Sequence, residues 1–308
     1  MSPAGKGEVL TDSYGRTLRS LRMSITDRCN LNCIYCHNEG HVGHSPEMSV
    51  DTIVNIVEVG SQFGIDCLKL SGGEPLVRKD LEEALVRLPD MKDVSLTTNG
   101  TMLRARASSL KDAGLDRVNI SLDSLDPEKY QKISNCVKGT FDKVLDGIHE
   151  AVDAGLTPVK LNMVLLKDFN DDEIKDMLDF TRSYNGDVIL QLIELMDFGD
   201  LSQYKINANE VERSLLSASS EVKVRELHKR KKYIINSAEV EFVRPVDNTE
   251  FCANCNRLRV TADGKLKPCL LVNDNLVDVS NASKDELPDL FRLAVSRRVP
   301  FCKSLQEF

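Results

Sequence analysis

A chain of 308 residues has room for one large α/β domain with an elaborated end or for two domains, and 41% hydrophobic with 29% charged residues excludes a disordered or fibrous protein. The net charge of −8 argues against non-specific wrapping of nucleic acid, which needs an excess of Lys and Arg, but leaves room for a small anion held by a few placed cations. The opening MSPAGKGEVLTDSYG lacks the apolar core of a signal peptide, and no apolar run approaches the roughly 20 residues of a membrane span, so a cytoplasmic chain without membrane contact is expected.

Short β-rich runs alternate with stretches of helical periodicity, the pattern of βα units around a parallel sheet. Strands are expected at 21–25, 67–71, 94–98, 117–121, 158–165 and 188–193, with helices between them. The first helix starts from Ser49, and Gly64, Gly114 and Gly155 stand where helix C-caps belong. Directly beyond the first strand, TDRC leads into Cys29, Cys33 and Cys36, a C-x-x-x-C-x-x-C pattern; GGEP follows the second strand, NG the third and LDS the fourth. In a parallel βα array the C-terminal strand ends carry the site, so these motifs converge on one mouth. Residues 1–220 therefore read as a partial (β/α)6 barrel of TIM type.

After about residue 220 the rhythm changes to short strand-like runs, KYIIN, EVEFV and RLRVT, with a hairpin at ADGK and a last helix near 284–297. This is an α+β extension, 221–308. Its basic run HKRKK, 228–232, reads as a solvated strand or turn face. The stretch FCANCNRLRVTADGKLKPCL supplies a second triad, Cys252, Cys255 and Cys269, and places Arg257 and Arg259 on one face of a strand. Cytosolic cysteines in clusters suggest metal ligands, and soft thiolates select zinc or iron–sulfur centres. A zinc site would want a fourth ligand, for which His37 is available at the first triad and Cys302 or an acidic residue at the second. Cys67, Cys136 and Cys302 stand alone and read as small buried hydrophobes.

A C-x-x-x-C-x-x-C loop after a first barrel strand resembles the radical S-adenosylmethionine superfamily signature. That resemblance implies that Cys29, Cys33 and Cys36 hold three irons of a [4Fe–4S] cluster whose fourth iron is chelated by S-adenosylmethionine. It further implies that Tyr35, Gly73 and Ser121 contact that cofactor, Gly73 lying in a glycine-rich loop whose backbone approaches the methionine amino group.

Almost the whole chain, from DSYGRTLRSLRMSITDRCNLNCIYC through LSGGEPLVRKDL, LTTNG, DAGLDRVNISLDSL, VKLNMVL and IELMDFG to FCANCNRLRVTADGKLKPCL, is similar to the GTP 3′,8-cyclase family of molybdenum cofactor biosynthesis. The continuation YCHNEGH looks like its archaeal members. The similarity implies a second [4Fe–4S] cluster in the extension, on Cys252, Cys255 and Cys269, with an open iron for the guanine of GTP. Arg22, Lys69, Thr97, Lys160, Arg257 and Arg259 would hold the nucleotide. Also implied are a one-electron reductant such as flavodoxin or ferredoxin, a downstream pyranopterin-forming enzyme and, as is common in the family, a homodimer. Two features depart from the family pattern: the chain ends CKSLQEF instead of in a Gly-Gly tail, and Gln191 stands where an arginine is usual. Two alternatives remain at this point, a radical enzyme that modifies a peptide and a non-catalytic protein with zinc or nucleic acid bound.

Overall fold

The computed structural model describes residues 7–38, 46–197, 201–225, 227–246 and 248–299. Six runs rich in Leu, Val and Ile form the parallel strands β1 (Ser20–Ser24), β2 (Cys67–Ser71), β3 (Asp93–Thr98), β4 (Arg117–Ser121), β5 (Val159–Leu165) and β6 (Val188–Glu194). The amphipathic stretches between them form α1 (Val50–Gln62), α2 (Leu81–Val86), α3 (Ala107–Asp112), α4 (Pro127–Ser134), α5 (Thr140–Asp153) and α6 (Ile174–Arg182). Helix α1 shows why: Ser49 Oγ accepts from Thr52 N–H at its start, and Ile53, Ile56, Val57 and Gly60 form its buried stripe.

Strand alternation then sorts the sheet into two faces. Leu21, Met23, Leu68, Leu70, Leu96, Val118, Ile120, Leu161 and Leu190 are at most 2% exposed and belong to the main hydrophobic core. The opposite face carries polar residues in register. Arg22 lies beside Lys69 of β2, Thr97 beside Asn119, Asn119 beside Lys160, and Asn162 beside Gln191. This inner polar face, rather than any one motif, builds the site.

The remaining elements are α7 (Ala208–Ala218), β7 (Glu221–Val224), β8 (Lys231–Ile235), β9 (Ala238–Val243), α8 (Thr249–Ala253), β10 (Arg257–Val260), β11 (Lys265–Lys267), β12 (Val277–Asp278) and α9 (Leu287–Ser296). Strand β10 pairs in parallel with β1, setting Arg259 beside Arg22, and β9 pairs in parallel with β6, setting Glu241 beside Gln191. The extension thus continues the barrel sheet at both of its edges, giving twelve strands in the order β12-β11-β10-β1-β2-β3-β4-β5-β6-β9-β8-β7. The ADGK hairpin joins β10 to β11 as the sequence suggests.

The expectation on lone cysteines needs correction at Cys67. Cys67 and Cys136 are both half-buried, but Cys136 packs against the main hydrophobic core whereas the Cys67 thiol donates to Asp66 Oδ1 at 3.3 Å. Both stand at element edges, where an isolated small side chain is only partly covered. Cys302 and the chain end lie outside the described residues. No helix among the described residues is long and apolar enough to cross a membrane.

Candidate active site

The loop carrying Cys29, Cys33 and Cys36 leaves β1 and is fastened on three sides. Asn32 and Ile34 donate backbone N–H groups to the carbonyls of Ser134 and Ile133 at the end of α4, at 3.2 and 2.9 Å. Asn30 donates to Thr101 Oγ1 at 2.9 Å and accepts from Asn99 Nδ2 at 2.8 Å, which ties the loop to the turn after β3. Tyr35 Oη donates to the buried carboxyl of Asp123 at 2.6 Å, and Asp123 in turn accepts from Val164 N–H at 2.9 Å. Burial pushes the Asp123 carboxyl up to about 6, against both hydrogen bonds.

The glycine pair after β2 packs against the start of this loop. Gly73 N–H donates to Thr26 O and Glu74 N–H to Arg28 O, both at 2.8 Å. A Cβ on Gly72, whose φ is +150°, would stand 2.3 Å from Thr26 O, and one on Gly73 would stand 2.4 Å from Arg28 O. A close approach that requires glycine here is between the two loops. Glu74, buried, completes the latch. Its carboxylate accepts from Leu76 N–H at 2.9 Å, Thr98 Oγ1 at 2.7 Å and Asn99 N–H at 2.6 Å.

The three thiols are electrostatic neighbours. Burial pushes the Cys33 thiol well up, and Asp123, Cys36 and Cys29 add to that shift. Cys29 is raised in the same way, by burial and then by Glu74 and Cys36. Among the described residues no three His, Cys, Asp or Glu side chains converge tightly enough to hold one metal ion. Soft thiolate donors carried together on one loop fit an iron–sulfur cluster.

Below this mouth lies a cavity of about 300 Å³, within the size range of small-molecule sites. Cys252, Cys255 and Cys269 share its wall with His37, the residue after Cys36, so the two cysteine regions meet at one space. All six residues expected to hold a nucleotide line it as well: Arg22, Lys69, Thr97, Lys160, Arg257 and Arg259. Tyr35, Gly73 and Ser121 do not line it; they sit in the loops and at the strand end of the mouth.

Charge defines this wall. Ten of its residues are Lys or Arg and none is Asp or Glu, among the described residues. Desolvation, and then repulsion from Arg117, Arg22, Arg257 and Lys160, hold the Lys69 ammonium well below its ordinary value. Arg257 is pushed down to about 9 by burial and by Arg259 and Arg22. Lys160 falls to about 8, chiefly through burial, although Glu241 pulls the other way. Cations crowded in a low-dielectric space favour a polyanionic ligand, because each charge-assisted contact both pairs a charge and relieves repulsion.

Two buried carboxylates behind the wall set its cations in place. Glu241, fully buried on β9, is 2.7 Å from Lys160 Nζ, 2.7 Å from Arg225 Nη1 and 3.4 Å from Arg230 Nη1. Arg230 also donates to Gln191 Oε1 at 3.1 Å, and Gln191 donates to Asn162 Oδ1 at 2.7 Å. At the other end, Asp12 pairs with Arg16 at 2.7 Å and Arg298 at 3.1 Å. Arg16 donates to Cys252 O at 3.2 Å and Arg298 to Cys255 O at 2.8 Å, so one carboxylate indirectly grips both cysteine backbones.

Several of these residues escape sequence reasoning. Asp12, Arg16, Arg225 and Arg298 carry no local periodicity that points inward. HKRKK, by contrast, is only partly the solvated face expected of it. Lys229 and Lys231 are exposed, but His228 is 4% exposed and Arg230 lines the cavity. His228 and Arg230 both precede β8 and are placed by the turn that leads into it, so no strand alternation marks them. Arg117 could have been read from its alternation with Asn119 and Ser121 on β4.

Comparison with known proteins agrees with this geometry. Residues 23–181 match the radical SAM superfamily, and residues 188–302 match Molybdenum Cofactor Synthesis C. A probable GTP 3′,8-cyclase of Methanosarcina mazei is 60% identical over 303 residues, covering 96% of this chain and 90% of its own. One from Archaeoglobus fulgidus is 42% identical over 298 residues, covering 96% and 100%. Among solved structures, Streptococcus suis SuiB bound to its precursor peptide SuiA has a TM-score of 0.65 at 14% identity, covering 91% of this chain and 68% of that one. Native anSMEcpe with bound AdoMet has a TM-score of 0.60 at 18% identity, covering 88% and 80%. At such identities these two establish the shared fold.

Proposed function

We propose, on the premise that this chain belongs to the radical S-adenosylmethionine superfamily and within it to the GTP 3′,8-cyclase family, that the arginine-walled cavity holds GTP between two iron–sulfur sites. The enzyme is a radical S-adenosylmethionine lyase of the first step of molybdenum cofactor biosynthesis, which joins the ribose C3′ of GTP to C8 of its guanine. Cys29, Cys33 and Cys36 hold the [4Fe–4S] cluster that the superfamily uses, with Tyr35, Gly73 and Ser121 toward S-adenosylmethionine. Cys252, Cys255 and Cys269 hold a second [4Fe–4S] cluster with one position left for the base. We divide the chain at residue 220, the barrel carrying the first site and the extension the second.

When bound, the first cluster would supply an electron to S-adenosylmethionine, whose carbon radical would take the ribose 3′ hydrogen atom. The protein's own contribution is position and the exclusion of water. Lys160, Arg225 and Arg230, fixed on Glu241, bind and orient the phosphates, as do Arg22, Lys69, Arg257 and Arg259 from the strands across the cavity. Arg230, reaching Gln191 from the turn before β8, supplies a guanidinium beside the position where the family usually has one. Holding both ends of the nucleotide in a closed space keeps the sugar and base at near-attack distance. A reductant such as flavodoxin or ferredoxin, a downstream pyranopterin-forming enzyme, a homodimer and a cytoplasmic setting complete the proposal.

The observation that carries this reading is the shared wall of three cysteines and ten cations without a carboxylate. To test it, the protein is reconstituted without oxygen, its iron and sulfide are counted, and it is incubated with reductant, S-adenosylmethionine and GTP. Two four-iron clusters give about eight irons per chain, with deoxyadenosine and the cyclised nucleotide formed together. About four irons, or deoxyadenosine with GTP unchanged, would overturn it.

A further inference from the structure

One polar group in the cavity is left without a role by the phosphate-binding cations. His228 lies in the turn before β8 at 4% exposure and forms part of the cavity wall. Its ring stacks on Phe251, the residue before Cys252, with centroids 3.9 Å apart and planes 17° from parallel. Its backbone and that of Lys229 are both in the left-handed region, at φ +58° and +51°. Two successive non-glycine residues there are strained, and such strain persists where the surroundings fix it and clusters at ligand sites. Among the described residues its buried Nε2 has no hydrogen-bond partner. Buried polar nitrogens are satisfied in the great majority of cases, so an orphan one on a residue of the cavity wall points to a partner that a bound molecule would supply.

The chemistry narrows what that ligand group is. Burial and the surrounding Arg257, Arg230, Arg259 and Arg225 push the imidazole far down, which favours its neutral form. A neutral imidazole offers one directional hydrogen bond. It is packed on the loop of Cys252 and Cys255, the side of the cavity that takes the nucleotide base.

We propose that His228 reads the guanine, its Nε2 hydrogen-bonding the polar edge of the purine while Phe251 fixes the ring plane. This makes it a specificity residue for the base, separate from the cations that hold the phosphates. The inference rests on the reading of the cavity as a GTP site.

The test measures equilibrium binding of GTP, ATP and inorganic tripolyphosphate to the reconstituted protein. His228→Phe keeps a ring to stack on Phe251 but removes the nitrogen, and His228→Gln keeps a hydrogen-bonding group near the same place. The expected result is a loss of about tenfold in GTP affinity for His228→Phe, unchanged tripolyphosphate affinity and iron content, and recovery of most of the loss in His228→Gln. Unchanged GTP affinity in His228→Phe, or an equal loss for GTP and tripolyphosphate in both variants, would overturn the inference. So would loss of about half the iron, which would make His228 a cluster ligand. If the unsubstituted protein itself binds GTP no more tightly than ATP or tripolyphosphate, the GTP reading of the cavity fails first, independently of either variant.

Discussion

The loop of Cys29, Cys33 and Cys36 lies beside the buried carboxyls of Asp123 and Glu74, whereas the loop of Cys252 and Cys255 is held through its carbonyls by the guanidinium groups of Arg16 and Arg298, with Arg257 next along the chain. The same three-thiol chemistry therefore stands in opposite electrical surroundings. Negative neighbours disfavour adding an electron to an iron–sulfur centre and positive ones favour it, since net charge and hydrogen bonding set the potential. A carboxyl-lined site suits a strong reductant. A guanidinium-lined one suits the binding of an anionic, electron-rich substrate. The fold delivers this division directly, because the first loop follows β1 and packs on the carboxyl-bearing ends of β2 and β4, while the second precedes β10 and faces the inner row of cations.

The comparison breaks most sharply at the thiols. Replacing any of the six clustered cysteines by Ala should abolish turnover. Iron analysis should show that substitutions at Cys29, Cys33 or Cys36 spare the second site and those at Cys252, Cys255 or Cys269 spare the first. Full activity in Cys269→Ala would sink the account of the second cluster. Next in size comes Asp12→Asn. This frees Arg16 and Arg298 from their shared carboxylate, and breaking a buried ion pair costs about 3–5 kcal/mol. We expect loss of the second site's iron with the first site's spectrum intact; iron loss spread evenly over both sites would show that Asp12 serves the fold as a whole. Arg257→Ala should be milder. Removing one charge-assisted phosphate contact costs about 1.5–3 kcal/mol, or roughly 10- to 100-fold in GTP affinity, with both clusters retained.

Why the two regions were not equally legible in the sequence follows from their construction. Cysteine spacing marks the first triad, and the family resemblance points to the strand residues Arg22, Lys69, Thr97 and Lys160, which stand on recognisable strands. Arg257 and Arg259 could be read in the same way. What supports them could not. Asp12 meets Arg298, and Lys160 meets Glu241, only because β10 returns to β1 and β9 to β6, and such edge pairings leave no mark in either segment alone. HKRKK failed for a different reason. A dense basic run is usually solvated, and its spacing does not show that the turn before β8 buries His228 and sets Arg230 against the cavity. The glycines after β2 stand out in the sequence, but the contact they permit, with Thr26 and Arg28, depends on a neighbouring loop whose path the sequence does not give.

The smallest effect sharpens the comparison within the cationic region itself. Lys160 titrates near 8 because burial and the nearby Arg225 and Arg230 lower it while Glu241 raises it. Below that value the ammonium is already charged and phosphate binding needs no proton. Above it, each binding event must take up a proton, so GTP affinity should be flat up to about pH 8 and then fall by as much as tenfold per pH unit, until proton uptake is complete. In Glu241→Gln the one interaction that raises Lys160 is gone. The fall should then begin below pH 8, and affinity at neutral pH should drop several-fold as Lys160, Arg225 and Arg230 lose their common anchor. Isothermal titration in two buffers of different ionisation heat reports the proton uptake directly. An uptake curve identical in wild type and Glu241→Gln would mean that Glu241 does not govern the charge of Lys160, and that the cavity's cations are held in place by the strands alone.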